Sequence, residues 1–438
     1  MVNKGQPVQT SYPVNFVVLG GGLSGLACAL ALARVGHHVV VLEKDVEIPE
    51  SGPGGGCRLT PNMTKVLLNW NLKSELEARG MKMKSVVFNK CEEGQSLGKH
   101  TYQDEILQET GGGEWFFVSH TDLRGILYTA AKTAGADIRT GCDVTAIDPM
   151  SRQVTLANGE IVTADIIVGA DGPEGHGRET VAGHPDTSTP AGITMYNATL
   201  PAKAVPEVDE IRGGPAETEV VQNAVYVWYG DGYCLYDYPM NPQGDHALHV
   251  YGPDDGQDGS WHDKPTVSLA NLLGDVEPKL ANFVQSASPA VRLRIRNYEE
   301  LEDWIHEDSE RMLIIGEAAH PFPQIPNFLW GFQDIRQDRC KMAQEREVHR
   351  ARLFTLKNGP EQEERDKVLR VLNNDEDADL GLYSLEEPRV LFAYDCEEQG
   401  EEWWQSWGLL RERSHQTRTK DGEVKVAMHV EVKAAHSS

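Results

Sequence analysis

The amino-acid sequence predicts an α/β fold: a helix-flanked parallel sheet, interrupted by a second domain of short strands and followed by a helical, acidic C-terminal region. Three observations predict it. Continuous apolar runs occur at Val14–Leu19, in "ADIIVGADG" (164–172) and in "RMLIIGEAAH" (311–320), as expected for parallel strands covered on both faces. Between the last two, from Gly192 to Tyr251, the pattern changes to short alternating strands rich in Tyr and Trp. Beyond Gly359 the chain turns polar and acidic, with "GPEQEERD", "NNDEDAD" and "DCEEQGEEWW". The expected boundaries are 12–185 for the first part of the parallel-sheet domain, 186–299 for the inserted sheet domain, 300–345 for the return segment and 346–438 for the acidic region.

Each element follows from its local pattern. Val14–Leu19 is a buried strand, Gly20 to Gly25 a tight turn, and Leu26 to Val35 has helical spacing. "HHVVVLEKD" is the next strand, ending at Glu43. After the glycine-rich loop "SGPGGGC", a helix is expected from about Asn62 to Arg79, and another over Leu123 to Gly135, closed by its glycine. "CDVTAIDPMSRQVTLANGEIVTADIIVGADG" carries the alternation and Asn-Gly signal of a β-hairpin before a buried strand.

The chain has 438 residues, enough for two domains, and 41 Lys+Arg against 67 Asp+Glu give a net charge of -26. That balance argues against nucleic acid or an anionic membrane as partner, and the acidic surplus reads as a solvated surface. Seven scattered cysteines suggest neither a disulfide framework nor a zinc site. "MVNKGQPVQTSYP" lacks a signal-peptide core, and the glycines within the apolar segment from Val14 to Gly36 favour a nucleotide-binding βαβ unit over a membrane span. A cytosolic protein is the expectation.

Gly20, Gly22 and Gly25 stand in GxGxxG spacing between strand and helix, with the acidic Glu43 closing the second strand. The spacing has a physical logic. Gly20 permits the turn, Gly22 lets backbone approach a pyrophosphate, and Gly25 lets the helix pack closely while its positive end faces the phosphates. Glu43 is placed to accept from adenosine ribose hydroxyls, and its charge disfavours a 2′-phosphate, which suits FAD or NAD over NADP.

Further motifs add to this one. "IIVGADGPEGHGR" contains Asp171, Gly172 and Arg178, and "MLIIGEAAHPF" contains Gly316, Glu317 and His320. With the glycine fingerprint they resemble the three signatures of the single-component FAD-dependent aromatic hydroxylases, the salicylate hydroxylase and para-hydroxybenzoate hydroxylase group. "RLTPN" at Arg58 to Asn62, "TDLRGILYTAA", "WYGDGYCLYDYP" and "EEWWQSWG" extend the resemblance from about Val14 to Gly408. It implies a Rossmann-like FAD-binding domain and an inserted β-sheet domain that roofs the substrate. It also implies a reaction in which NADH or NADPH reduces the flavin, oxygen forms a C4a-hydroperoxide, and a phenolic or aromatic acid is hydroxylated. Gly20, Gly22, Gly25 and Glu43 would hold the ADP half, Asp171 and Gly172 would lie near the pyrophosphate, and Gly316 and Glu317 would hold the ribityl chain. Gly55 and Arg58 join the expected cofactor contacts.

The chain departs from that pattern in three places. Gly316-Glu317 replaces Gly-Asp, and "VSHTDL" puts His120 or Thr121 where many members carry arginine. After "PFP" (321–323) the chain passes at once to "QIPNFLWGFQDIRQDR", which resembles a later family segment. The resemblance therefore implies that a few dozen residues are missing, including a helix aimed at the flavin pyrimidine. Weakened FAD binding and uncoupled turnover would follow. Two alternatives stay open: a flavin-binding remnant without redox chemistry, and another FAD- or NAD-dependent oxidoreductase.

On the substrate side the candidates are Tyr226, Trp228, Tyr229, Tyr233, Tyr236 and Tyr238 for an aromatic lining, and Arg178, Arg292, Arg294 and Arg296 as cations for an acidic substrate. His246 and His249 read as strand residues, and no catalytic base is assigned. No metal is expected, because His320, Glu317 and Asp334 lack ligand spacing. The partners expected are a small aromatic substrate and molecular oxygen.

Overall fold

A computed structural model of the chain describes residue 7 and residues 9–50, 55–101, 113–204, 223–259, 263–301, 303–320, 352–371, 396–403 and 405. The chain divides into two compact units, Met1–Tyr394 and Asp395–Ser438.

In the first unit β1 (Asn15–Leu19), α1 (Leu23–Arg34) and β2 (His38–Leu42) form a βαβ unit. β3 (Gly56–Leu59), α2 (Pro61–Asn69), α3 (Lys73–Arg79) and β4 (Met81–Lys82) follow, then β5 (Ser85–Lys90) and β6 (Ser96–Thr101). β7 (Phe116–Ser119) runs straight into α4 (His120–Thr133), and β8 (Asp137–Arg139) comes next. β9 (Val144–Asp148), β10 (Gln153–Leu156) and β11 (Ile161–Thr163) make an antiparallel meander before β12 (Ile166–Gly169) and α5 (His176–Ala182). The inserted region supplies β13 (Thr189–Leu200), β14 (Ala224–Tyr229), β15 (Cys234–Pro239), β16 (His246–Pro253), α6 (Pro278–Gln285) and β17 (Val291–Asn297). β18 (Met312–Ile314) and α7 (Pro360–Val371) follow, and the second unit contributes α8 (Cys396–Trp403).

Five parallel strands form the first sheet in the order β18-β12-β1-β2-β8. Register aligns the ends of three neighbours, with Leu19 beside Gly169 and Gly169 beside Ile314. The three turns that leave these strands, at Gly20, Ala170 and Ile315, therefore emerge side by side. Val18, Ile167 and Ile314 are buried with Leu26 and Ala29 of α1 and Leu123 and Ile126 of α4. Each of the valine, leucine and isoleucine side chains contributes about 1.5–3 kcal/mol on burial.

Helix ends differ from expectation where caps and turns decide them. α1 begins at Leu23 and α4 at His120, three residues early in each case, and in α4 the Ser119 hydroxyl accepts from Asp122 N at 3.1 Å. The helix expected over Asn62 to Arg79 is two helices, because Asn71 takes a left-handed conformation with φ 63° between them.

The second sheet has seven strands, β17-β13-β16-β15-β14-β5-β6, so it also takes in β5 and β6 from within residues 12–185. One face, carrying Tyr196, Tyr226, Trp228, Leu235 and Val250, packs on Leu280 and Phe283 of α6. The opposite face carries Phe88, Tyr229, Tyr236 and Tyr238, with Leu369 of α7 and Phe354 packed on it. In the stretch "GPEQEERD" Glu361, Glu363 and Glu364 are exposed, as a solvated surface requires, and Asp366 is the exception. It is buried, with Lys90 at 3.2 Å, Arg365 at 2.8 Å and Gln362 as partners, while the Arg365 guanidinium lies 4.0 Å from the Tyr229 ring centre.

Candidate functional site

The first turn is shaped by its three glycines in three different ways. Gly20 has φ +98°, and a Cβ there would fall 2.5 Å from the Ala170 carbonyl oxygen of the neighbouring turn. A Cβ on Gly25 would fall 1.9 Å from the Gly20 carbonyl, so only glycine allows α1 to lie so close to the strand end. Gly22 is the reverse case: a Cβ there would meet nothing within 4 Å. It is the N-cap of α1, without a side-chain cap and with no acidic residue in the helix's first turn. Room in front of the helix and amide groups without a capping side chain suit a diphosphate.

Glu43 lies beside this turn and is buried. Its Oε2 accepts from Gly21 N at 2.6 Å and from Arg124 Nη2 at 3.0 Å, while its Oε1 accepts from Asp45 N at 2.8 Å. A carboxylate has about four acceptor positions, so three are filled and one is left on Oε1. Arg124, on α4, was absent from the residues expected from sequence. Nothing local marks it, because its partners Gly21, Glu43 and Asp45 lie far back in the chain.

The second turn sets Asp171 against Gly20, whose added Cβ would be 3.0 Å from Asp171 Cα. Asp171 Oδ2 accepts from Gly177 N at 2.9 Å in the first turn of α5, while its Oδ1 is buried without a hydrogen-bond partner. Burial raises its pKa above the ordinary carboxylate value. Gly172 follows with φ +86° and open space where a Cβ would be. In the third turn Gly316 has φ +61°, and a Cβ would fall 2.2 Å from Ser24 Oγ of α1, which brings this motif against the first. Glu317 is exposed at the surface, and desolvation by the surrounding protein raises its pKa. His320 is buried, its ring centre 5.3 Å from that of Trp304.

The structure thus brings Gly20, Gly22, Gly25, Glu43, Asp171, Gly172, Gly316 and Glu317 to the carboxyl ends of adjacent strands. Gly55 and Arg58 are placed against the second sheet instead. A Cβ on Gly55 would fall 1.9 Å from Asn197 Nδ2 of β13, and the Arg58 guanidinium lies 5.1 Å from the Tyr236 ring centre.

The aromatic set expected for the substrate is split by strand alternation. Tyr226, Trp228 and Tyr233 belong to the core against α6, whereas Tyr229, Tyr236 and Tyr238 are on the other face, which also carries His249. Tyr238 OH and His249 Nε2 are 3.1 Å apart. Burial, with Arg58 adding its charge, lowers the His249 pKa to about 3, so its ring is neutral. His246 sits with its Nδ1 2.7 Å from Asp237 Oδ1.

The four candidate cations are all engaged. Arg178 Nη1 donates to the Ala318 and Ala319 carbonyls at 3.0 and 3.3 Å, and Nη2 to Glu299 O at 2.6 Å, so it braces the third turn. Arg292 is 2.9 Å from Asp255, Arg294 is bound to Asp254 and Asp258, and Arg296 donates to Ser188. Asp334 and the point after Pro323 where residues are expected to be missing lie outside the described residues. No described helix is long and apolar enough to cross a membrane.

Comparison with known proteins agrees with this geometry. A family model described as an FAD binding domain matches residues 13–325. The chain is 25% identical over 390 residues to the FAD-dependent monooxygenase OpS4 of Beauveria bassiana, covering 82% of this chain and 89% of that one. It is 26% identical over 313 residues to a 3-hydroxybenzoate 6-hydroxylase of Klebsiella oxytoca, covering 70% and 74%. A solved salicylate hydroxylase substrate complex shares the fold with a TM-score of 0.62 at 16% identity, covering 88% of this chain and all of that one.

Proposed function

The chain belongs to the FAD binding domain family, and from that premise we propose that it is an FAD-dependent monooxygenase hydroxylating a phenolic or aromatic acid, with NADH or NADPH as reductant and molecular oxygen as co-substrate. One observation carries the reading: three turns from distant parts of the sequence meet at the ends of β1, β12 and β18, and Gly22 and Gly172 border open space there. That is where dinucleotides bind in open parallel sheets, outside the carboxyl ends of the strands. The named relatives support the reaction class, as two of them are FAD-dependent monooxygenases or ring hydroxylases by name.

In this reading Gly20, Gly22 and Gly25 receive the pyrophosphate, and Glu43 receives a ribose hydroxyl through its remaining acceptor position. Asp171 and Gly172 border the diphosphate from the second turn, Gly316 and Glu317 face the ribityl chain, and Gly55 and Arg58 border the flavin from β3 and the residue before it, where they pack on the second sheet. Bound FAD supplies the redox and oxygen-activating chemistry. The protein's share is to bind and orient the reactants and, with the second sheet as roof, to keep water out. Residues 12–185 and 300–345 serve as the FAD-binding domain, 186–299 as the substrate domain and 346–438 as the acidic region, in a cytosolic protein.

A second reading, a flavin-binding remnant impaired in catalysis, is favoured by one observation. The family match ends at residue 325, beside the point after Pro323 where the resemblance implies missing residues. A single assay separates the two readings: NAD(P)H consumed, peroxide released and hydroxylated product, with FAD supplied and phenolic acids as trial substrates. Product in step with reductant supports the monooxygenase. Bound FAD with only peroxide, or with no oxidation of either reductant, supports the remnant.

A further inference from the structure

We propose that Arg124 is a positioning residue of the nucleotide site, holding both the Gly21–Gly22 peptide and the Glu43 carboxylate in the orientation that receives the ADP half. The proposal rests on the FAD reading above. Its basis is the fork of one guanidinium with three separate partners. Nε donates to Gly21 O at 2.8 Å, Nη2 contacts Glu43 Oε2 at 3.0 Å, and Nη1 contacts Asp45 Oδ2 at 3.2 Å. The side chain is largely buried, at 15% exposure, and held on α4 rather than on the turn it braces.

Three consecutive glycines, Gly20 to Gly22, leave this turn conformationally free, so something outside it must choose its conformation. Gly21 is fixed at both ends. Its N–H donates to Glu43 Oε2 at 2.6 Å and its carbonyl accepts from Arg124. A peptide unit is planar and trans, so pointing the Gly21 carbonyl at Arg124 turns the Gly22 N–H the opposite way. A flip of that peptide would present a carbonyl where a phosphate oxygen needs a donor. Arg124 also offsets the negative charge of Glu43 and Asp45, which would otherwise repel a diphosphate. Lysine at this position keeps the charge but loses the fork, and cannot hold three acceptors in one plane.

The test is calorimetric titration of the full chain, as wild type, Arg124→Lys and Arg124→Gln, with ADP and with 2′-deoxy-ADP, beside thermal unfolding of each apoprotein. Wild type should prefer ADP through Glu43. Both variants should lose about 10- to 100-fold in ADP affinity, and their preference for ADP over 2′-deoxy-ADP should collapse to about twofold or less. A merely structural arginine would weaken both ligands alike and leave the preference intact, which would overturn the proposal, as would unchanged ADP binding. Should the glutamine variant fail to fold, the lysine variant carries the test. A wild type that binds neither ligand would overturn the FAD reading and this proposal with it. Binding that persists equally in the variants would overturn this proposal alone.

Discussion

Arg178 donates from a single nitrogen to the carbonyls of Ala318 at 3.0 Å and Ala319 at 3.3 Å, joining the helix after the second turn to the third turn. The side chain is buried, and its other terminal nitrogen holds Glu299 O at 2.6 Å. Such a residue is unsuited to meeting a substrate carboxylate. Arg178→Ala would leave three carbonyls without this donor, so urea unfolding should show a loss of about 2–4 kcal/mol at unchanged slope. A loss below about 0.5 kcal/mol, the range of ordinary surface substitutions, would remove the bracing role.

His249 gives the pH dependence a definite sign. Its ring is neutral because burial, with Arg58 adding to it, lowers the pKa from 6.5 to about 3. The unfolded chain takes up a proton near pH 6.5, and the folded chain refuses it until about pH 3. Stability from this group is therefore complete above pH 6.5 and is lost as pH falls through that window. Compared with His249→Asn, the wild type should lose about 2–4 kcal/mol more between pH 7 and pH 4. Parallel stability curves for the two proteins would show that His249 does not titrate in this way.

Glu43 ties the first turn to Asp45 and Arg124. Its carboxylate binds Gly21 N, Asp45 N and Arg124, and one acceptor position is left. Glu43→Ala should weaken ADP and FAD binding by about 1–3 kcal/mol, and should lower stability as well because Arg124 loses a partner. Calorimetry with ADP checks the first effect and urea unfolding the second. Equal affinity in the two proteins would take Glu43 out of the site.

The parts of this arrangement that sequence could reveal were those with local physical causes. A glycine that needs φ +98°, or one whose added Cβ would collide with a backbone oxygen, leaves a trace at a fixed offset from strand and helix, as Gly20 and Gly25 do. The buried parallel strands were legible in kind, since they read as apolar runs, but their order was not. What escaped depended on contacts across the chain. Arg124 is one basic residue on a helix, and only the fold brings Gly21 and Glu43 to it. Arg292 and Arg294 had the charge for an acidic substrate, but Asp254, Asp255 and Asp258 already take it up. The split of the tyrosines was within reach, because a period of two puts Tyr226 and Trp228 on one face and Tyr229 on the other. The left-handed Asn71 that breaks the expected helix carried a weaker signal, as asparagine only tolerates that conformation better than most residues.

The central claim is that the three turns at the ends of β1, β12 and β18 hold FAD. Equilibrium dialysis of the purified chain against FAD, repeated with excess ADP, tests it most directly. Saturable binding of about one FAD per chain is expected, displaced competitively by ADP, since both would occupy the Gly20–Gly25 turn and Glu43. A chain that retains no FAD at any concentration, or retains it undisturbed by ADP, would contradict it.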